Sequence, residues 1–237
     1  MPNETPRSMS IFRINEKMTG PAAIIASTIF LCLAAIYFSP AQIPHKIAFP
    51  LALLTVSGLW LCPIPIVLAM AFSTAGDYFG SCGNFLAQMG CFALTHVMLI
   101  TFFIRRYFKK VEPDFKLTDK AKGFLAIIIL CTGLIIFAAF TQVLPGAPHG
   151  IIRTGAGLYT CIICTMLIFA MLQRSSLYAL GALLFVMSDF ILAWNRFVEP
   201  VDNATWFIMV PYYLGQWLLY IRSTSFRAGP EMRLMRF

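Results

Sequence analysis

The sequence predicts an all-α membrane protein, a bundle of eight transmembrane helices with both termini in the cytoplasm. Of the 237 residues, 59% are hydrophobic and only 12% are charged, about half the charged fraction of a soluble domain. Apolar runs of about 16 to 22 residues recur along the chain, and about 20 helical residues cross the hydrocarbon core of a bilayer. These runs leave no room for a separate soluble domain.

Each helix is predicted from an apolar run and the break that ends it. The predicted helices cover residues 22–38, 47–62, 65–80, 85–104, 123–143, 151–172, 177–198 and 204–222. Cys62-Pro-Ile-Pro65 makes a tight reversal, because proline cannot continue a helix interior. Residues 1–20 form a polar head, 21–223 the transmembrane domain and 224–237 a basic tail.

The basic residues predict the orientation. With eight spans, all but three of the 18 Lys and Arg residues fall on the side that holds both termini. The three exceptions are Lys46, Arg153 and Arg196. Cytoplasmic loops carry an excess of Lys and Arg, so this side is predicted to be cytoplasmic. Because the net charge of +8 is explained by topology, nucleic acid is not a predicted partner.

Two aspartates interrupt apolar helices, and a carboxylate within a span is costly enough to mark a functional site. Asp77 lies in Ser73-Thr-Ala-Gly-Asp77-Tyr78 on the third helix. Asp189 lies in Met187-Ser-Asp-Phe190 on the seventh. In the predicted topology both helices run outward, and each aspartate is about 18 Å from the inner edge. The two carboxylates are therefore predicted to lie at the same depth.

Other polar side chains fall at a comparable depth: His96, Tyr159, Tyr213 and Gln216. A shared internal pocket would cost less than separate burial of each group in hydrocarbon. Simpler roles stay open. Asp77 could cap a helix end or reach the headgroups, Asp189 could be structural, and His96 is equally well explained as a helix–helix hydrogen bonder. The tyrosines, Tyr212 among them, could be packing or interface aromatics.

The available side chains favour acid–base chemistry without a metal. No two of the three histidines share a helix face, so a metal site is not predicted. A carboxyl group in a low dielectric favours its neutral form, and a second carboxylate nearby separates a pair into an acid and a base. Such a pair suits acid-labile ethers and acetals, because the carboxylate stabilises the oxocarbenium ion that protonation generates. In a membrane the matching substrate is a lipid.

Several motifs resemble those of the YhhN family, which includes the lysoplasmalogenases. In chain order they are Ser73-Thr-Ala-Gly-Asp77, Phe85, Gly90-Cys-Phe92, His96, Gly181-Ala-Leu-Leu-Phe-Val-Met-Ser-Asp189 and Tyr212-Tyr-Leu-Gly-Gln216. The resemblance implies eight helices and hydrolysis of the vinyl ether bond of a lysoplasmalogen to a fatty aldehyde and a glycerophospho-alcohol. It also implies that Asp77 and Asp189 are both essential. One departure is Val97, where the family often has a tyrosine shortly after the histidine.

We expect a site that needs no metal or organic cofactor, and the expected partners are the lysophospholipid substrate and bilayer lipid. Asp189 is expected to protonate the vinyl β-carbon, and Asp77 to stabilise the oxocarbenium and position water; the reverse assignment of acid and base stays open. The residues expected to orient the carboxylates or the substrate are Tyr78, His96, Tyr159, Ser188, Tyr213 and Gln216. Arg153 and Arg196 are candidates for the lipid phosphate. The expected location is the inner membrane of a bacterium.

Three alternatives remain at this stage. A proton-coupled transporter of small molecules or lipids could relay protons through the same aspartates. The matching placement of aspartates on the third and seventh helices would fit a four-helix repeat. An intramembrane aspartyl protease also pairs two aspartates, but its usual Tyr-Asp and Gly-x-Gly-Asp units do not occur here. A structural or binding protein would need neither aspartate beyond stability.

Overall fold

The computed structural model describes residues 16–110 and 119–224, which form eight α-helices and no strand. The helices are α1 Glu16–Phe38, α2 Phe49–Leu61, α3 Ile64–Ser81, α4 Phe85–Lys110, α5 Asp119–Ala138, α6 Ile151–Met171, α7 Ser176–Phe197 and α8 Ala204–Thr224. The predicted all-α class and its eight helices are confirmed. The described residues leave out most of the predicted polar head, nearly all of the basic tail and residues 111–118 between the fourth and fifth helices.

Five of the described helical segments are long and apolar enough to cross a membrane: Gly20–Phe38, Phe85–Phe108, Leu125–Gly146, Ile151–Met171 and Ser176–Phe197. Helix α2 is apolar but shorter, and α3 and α8 are not among the five. Both α3 and α8 carry polar side chains that are buried inside the bundle, such as Asp77 and Gln216. Their lower apolar content therefore reflects what they contribute to the interior.

The fifth predicted helix does not continue regularly to residue 143. Helix α5 gives way to a π-helical turn, Ala139–Val143, and then to a 3₁₀ turn, Leu144–Gly146. The 3₁₀ turn packs closely on the end of α7, where a Cβ on Gly146 would lie 1.8 Å from the carbonyl oxygen of Phe197. Single π-helical turns within α-helices are frequent at functional sites.

Glycines set the closest approach in the centre of the bundle. A Cβ on Gly215 of α8 would lie 2.8 Å from the carbonyl oxygen of Gly181 on α7. Small residues allow this kind of backbone contact between membrane helices. Helices α3 and α4 pack as extensively as α7 and α8 do, while α6 contacts α4 and α7, and α5 lies on the outside of α6. This packing brings α3, α4, α6, α7 and α8 around the two aspartates.

Candidate active site

Asp189 belongs to a cluster of three polar side chains from three helices. The hydroxyl group of Tyr159 on α6 donates a hydrogen bond to Asp189 Oδ2. Nε2 of His96 on α4 lies 3.0 Å from the same hydroxyl oxygen and 3.4 Å from Asp189 Oδ2. The His96 side chain is fully buried, whereas that of Asp189 is 9% exposed. Two partners therefore fix one oxygen of this carboxyl group.

The exposed part of Asp189 faces a cavity between α4, α5, α6 and α7. This cavity is partly open to the outside of the bundle, and the empty space within it and at its opening totals about 740 Å³. Its walls are mainly apolar, and they include Phe85, Met89, Phe92, Ile135, Leu144 and Phe197. The π-helical turn contributes Ala139 and Val143. Oδ1 of Asp189 hydrogen-bonds to no other described residue, so this oxygen is available to a molecule in the cavity.

Asp77 belongs to a second cluster, which is closed. The Tyr212 hydroxyl on α8 donates to Asp77 Oδ2 at 3.0 Å, and Asp77 is 2% exposed. One turn earlier on α3, the Ser73 hydroxyl accepts a hydrogen bond of 2.8 Å from Gln216 Nε2. It also lies 3.1 Å from the hydroxyl oxygen of Thr95. None of these five residues lines the cavity at Asp189.

Aromatic rings separate the two clusters. The Phe185 ring lies 4.6 Å from the His96 ring and 5.4 Å from the Tyr212 ring, between centroids. Phe92 packs edge-on against both Phe185 and Tyr212. The carboxyl groups of Asp77 and Asp189 are still close enough to interact electrostatically. They form two adjoining sites rather than one shared hydrogen-bonded pair.

Three of the predicted orienting residues make other contacts. Tyr78 is 46% exposed and packs beside a histidine ring. The Ser188 hydroxyl donates to a backbone carbonyl of α8 at 2.9 Å, and the Tyr213 hydroxyl donates to the carbonyl oxygen of Ile47 at 2.9 Å. Consecutive residues on a helix do not share a face. A neighbour of an aspartate or of Tyr212 in sequence therefore points elsewhere.

The contacts of Asp77 were the main omission of the sequence analysis, which assigned Tyr212 no site role. A spacing of four residues could have identified them, because residues i and i+4 share a helix face. Ser73 and Asp77 have this spacing on α3, and Tyr212 and Gln216 have it on α8. Each pair presents two polar groups to one neighbouring helix.

Two buried polar atoms of these clusters have no hydrogen-bond partner among the described residues: His96 Nδ1 and Gln216 Oε1. An unpaired polar group in a low-dielectric interior costs free energy, and such exceptions are frequent at functional sites. In the described part of the chain, no three His, Cys, Asp or Glu side chains converge as metal ligands would. The chemistry that this arrangement offers is proton transfer at Asp189, with Tyr159 and His96 holding the carboxyl group.

Residues 28–223 match the YhhN family over most of the chain. The chain belongs to this family. Lysoplasmalogenase TMEM86B of Sus scrofa is 30% identical over 149 residues, which cover 63% of the chain and 57% of that protein. Lysoplasmalogenase TMEM86B of Homo sapiens is 31% identical over 140 residues, which cover 57% of the chain and 52% of that protein. The chain thus matches little more than half the length of these relatives. No solved structure is significantly similar to it.

Proposed function

We propose that this member of the YhhN family is an integral membrane hydrolase that cleaves the vinyl ether bond of lysoplasmalogens. The products would be a fatty aldehyde and a glycerophospho-alcohol. The observation that carries the proposal is a single carboxyl group, Asp189, at the wall of an apolar cavity among membrane-spanning helices. The names of the relatives, lysoplasmalogenases of two mammals, support the same activity.

The reaction needs one proton donor that becomes a carboxylate. Asp189 transfers its proton to the β-carbon of the vinyl ether, and the α-carbon becomes an oxocarbenium ion. Water adds to the α-carbon and returns a proton to the carboxylate, which gives a hemiacetal. The hemiacetal collapses to the aldehyde, and the glycerol oxygen leaves as an alcohol with the hydroxyl proton. One water is consumed, and Asp189 ends in its initial state.

Tyr159 and His96 position the carboxyl group for this transfer. Their contacts fall on Oδ2, so the transferred proton is assigned to Oδ1, which has no hydrogen-bond partner among the described residues. A fixed carboxyl group needs little reorganisation during the reaction, which is the usual source of catalytic advantage at such sites. His96 and Tyr159 are thus positioning residues in this scheme.

Asp77 has an electrostatic role in the proposal, because it does not line the cavity. Its carboxyl group, held by Tyr212, acts on the oxocarbenium only through its electrostatic potential, across the aromatic rings that separate the two clusters. This role differs from the direct positioning of water that was expected from the sequence. It assigns the water-activating step to Asp189, which alone of the two aspartates lines the cavity.

The same proposal includes eight spans with both termini in the cytoplasm of a bacterium. The short connections between successive helices, such as Cys62–Pro63 and Gln173–Arg174, favour antiparallel neighbours. The distribution of Lys and Arg favours the cytoplasmic side for both termini. A reporter fused to each connection in turn would test this topology, since it predicts strict alternation between the two sides.

The decisive experiment is aldehyde release from a lysoplasmalogen by the purified protein in detergent. The saturated 1-alkyl analogue is the matched substrate, because it lacks the double bond whose β-carbon accepts the proton. We expect aldehyde only from the vinyl ether, and about 10³-fold less of it from Asp189→Asn. Asp202→Asn, an exposed loop aspartate, is the control variant and should retain wild-type activity.

Absence of aldehyde from folded wild-type protein would refute the hydrolase proposal. In that case, proton uptake by protein in liposomes would be the next measurement, because a transporter would require the same aspartates without cleaving a substrate.

A further inference from the structure

A second recess, whose lining is about half polar, adjoins the apolar cavity at the end of α7. It is lined by Gly146, Pro148, Leu192, Asn195, Arg196 and Phe197. Leu192 and Phe197 also line the apolar cavity, so the two spaces share a wall. An amphiphilic molecule could therefore place a polar group in the recess and an apolar group in the cavity.

One face of α7 connects the two spaces. Asp189 and Arg196 are seven residues apart, which is close to two helical turns and about 10 Å along the axis. Leu192 and Ala193 lie between them on the same face, and both line the apolar cavity. One face of α7 thus carries a proton donor, then two apolar side chains, then a cation, in order along the helix axis.

Arg196 differs from the other arginine at this end of the bundle. The Arg153 guanidinium donates to the carbonyl oxygens of Pro145 and Ala147, each at 2.7 Å through Nη2. These bonds hold the turn before α6. The Arg196 guanidinium lies 4.0 Å from the ring centroid of Phe85, and it has no hydrogen bond or ion pair with other described residues. Stacking fixes its plane and leaves its N–H groups open to a ligand.

We propose that Arg196 binds the phosphate diester of a lysophospholipid whose sn-1 ether bond lies at Asp189. The inference rests on the proposed function and adds the orientation of the substrate. Five bonds separate the phosphorus from the sn-1 oxygen, roughly 6 Å, and the long arginine side chain spans the rest of the distance along α7. The glycerol carbons then pass over Leu192 and Ala193.

The apolar residues near Asp189 would receive the start of the alkenyl chain. Val186 on α7 and Ile163 on α6 lie one turn beyond Asp189 and Tyr159, on the side away from Arg196, and both line the cavity. The substrate therefore lies with its phosphate in the recess and its chain toward the middle of the bundle. The site recognises the phosphate rather than the amine, because Arg196 is a cation.

Paired substrates test the inference. One is a lysoplasmalogen, and the other is a 1-alkenylglycerol with the same chain, which has the vinyl ether and no phosphate. In Arg196→Gln we expect KM for the lysoplasmalogen to rise about tenfold, the loss expected for one charge-assisted hydrogen bond. KM for the alkenylglycerol and both kcat values should stay unchanged. Arg174→Gln, an exposed arginine at the other end of the bundle, is the control for loss of charge.

A KM for the lysoplasmalogen that is equal in the wild type and Arg196→Gln would overturn the inference. An equal rise in KM for both substrates would also overturn it, because the effect would then be independent of phosphate. Arg196→Lys keeps the charge but loses the planar stack on Phe85, so it should recover part of the loss.

A binding arm separates this inference from the proposed hydrolysis. The dissociation constant of a 1-acyl lysophospholipid, which has no vinyl ether, is compared with that of the matching monoacylglycerol. The wild type should prefer the lysophospholipid and Arg196→Gln should not, whether or not the protein cleaves ethers. Binding of inorganic phosphate tests whether the site recognises the phosphate of a lipid or a free anion. If inorganic phosphate bound to Arg196 as tightly as the lysophospholipid, the site would be a free-anion site and the lipid assignment would fail.

Discussion

The two buried aspartates have different surroundings, although both lie in the C-terminal half of their helices. Asp77 is enclosed with Tyr212 and does not line the cavity at Asp189. Asp189 keeps one oxygen on an apolar cavity and binds Tyr159 through the other. Burial of an acidic group therefore does not by itself give that group access to a substrate. The cavity beside Asp189 distinguishes the two positions.

The closed cluster serves mainly to join helices. Hydrogen bonds between α3, α4 and α8 pass through Ser73, Thr95 and Gln216. In a membrane, interhelical hydrogen bonds of this kind hold helices that the hydrophobic effect cannot drive together. The cluster around Asp189 also joins three helices, but in the proposed function Asp189 exchanges a proton with a substrate in the cavity.

The largest expected difference between the two regions is in the rate of aldehyde release. Asp189→Asn removes the proton donor, and we expect kcat to fall by about 10³-fold, within the range of general acid catalysis. Asp77→Asn keeps an oxygen that can accept the bond from Tyr212, and we expect a fall of about tenfold, the loss of a remote electrostatic interaction. Single-turnover rates in detergent measure both.

Equal losses in the two variants would contradict this ranking. They would favour a mechanism in which both carboxyl groups contact the substrate, and would agree with the family resemblance, which implies that both aspartates are essential. Thermal unfolding of each variant is needed in parallel, so that a loss of folded protein is not counted as a loss of chemistry.

The two tyrosines provide a matched pair of variants. Each change to phenylalanine removes the hydroxyl group that donates a hydrogen bond to one of the aspartates. Tyr159→Phe should lower kcat about 10²-fold, since Asp189 loses the bond that fixes it. Tyr212→Phe should lower kcat less and destabilise the protein more, by about 1–3 kcal/mol, because an acceptor of Asp77 is left unpaired in a closed site. The measurements are kcat and the unfolding midpoint of each variant.

The opposite pattern, with Tyr212→Phe the more damaging to kcat, would assign the chemistry to the closed cluster. Restored kcat in the double variant Tyr159→Phe, His96→Gln would also argue against the proposed positioning of Asp189.

Filling the cavity should affect only the reaction at Asp189, which lines the cavity. Ala156 lines the cavity one turn from Tyr159, and Ala156→Phe would occupy part of the space. We expect KM for a lysoplasmalogen to rise about tenfold, comparable to the loss of a few buried methylene groups. Ala138→Phe on α5, which is not part of the lining, is the control. An unchanged KM in Ala156→Phe would show that the substrate lies elsewhere.

The sequence was sufficient for the helices and for the position of each aspartate along its helix. Apolar length and proline-containing breaks place the ends of α3, α6 and α7 within one residue of the structure. Depth follows from counting residues along a helix axis. The rotation of each helix about its axis does not follow from counting, and it decides which neighbours in the bundle a side chain contacts.

Tyr212 and Tyr213 illustrate this limit. The close approach of Gly215 to Gly181 fixes the face of α8 that meets α7. Tyr212 is three residues before Gly215 and turns inward to Asp77, while Tyr213 turns to the carbonyl of Ile47. The glycine pair was visible in the sequence, but its pairing across two helices was not. The cavity and the π-helical turn also depend on the packing of several helices together.

The smallest expected effect concerns the rings of Phe92 and Phe185, which separate the Asp77 cluster from the Asp189 cluster. A Cβ on Gly76, next to Asp77, would lie 2.9 Å from the Phe92 ring, which lines the cavity and contacts Tyr212. Gly76→Ala should therefore shift this ring and lower kcat a few-fold, together with about 1–2 kcal/mol of stability. Gly90→Ala on α4 is the matched control, because a Cβ there meets no atom within 4 Å. It should leave kcat unchanged and stabilise the helix by about 0.5–1 kcal/mol.

If Gly76→Ala instead matched Gly90→Ala in both kcat and unfolding midpoint, that result would mean that the Phe92 ring moves without any effect on the reaction. Any coupling between the two clusters would then be electrostatic, and the aromatic rings between them would have no role in positioning the substrate.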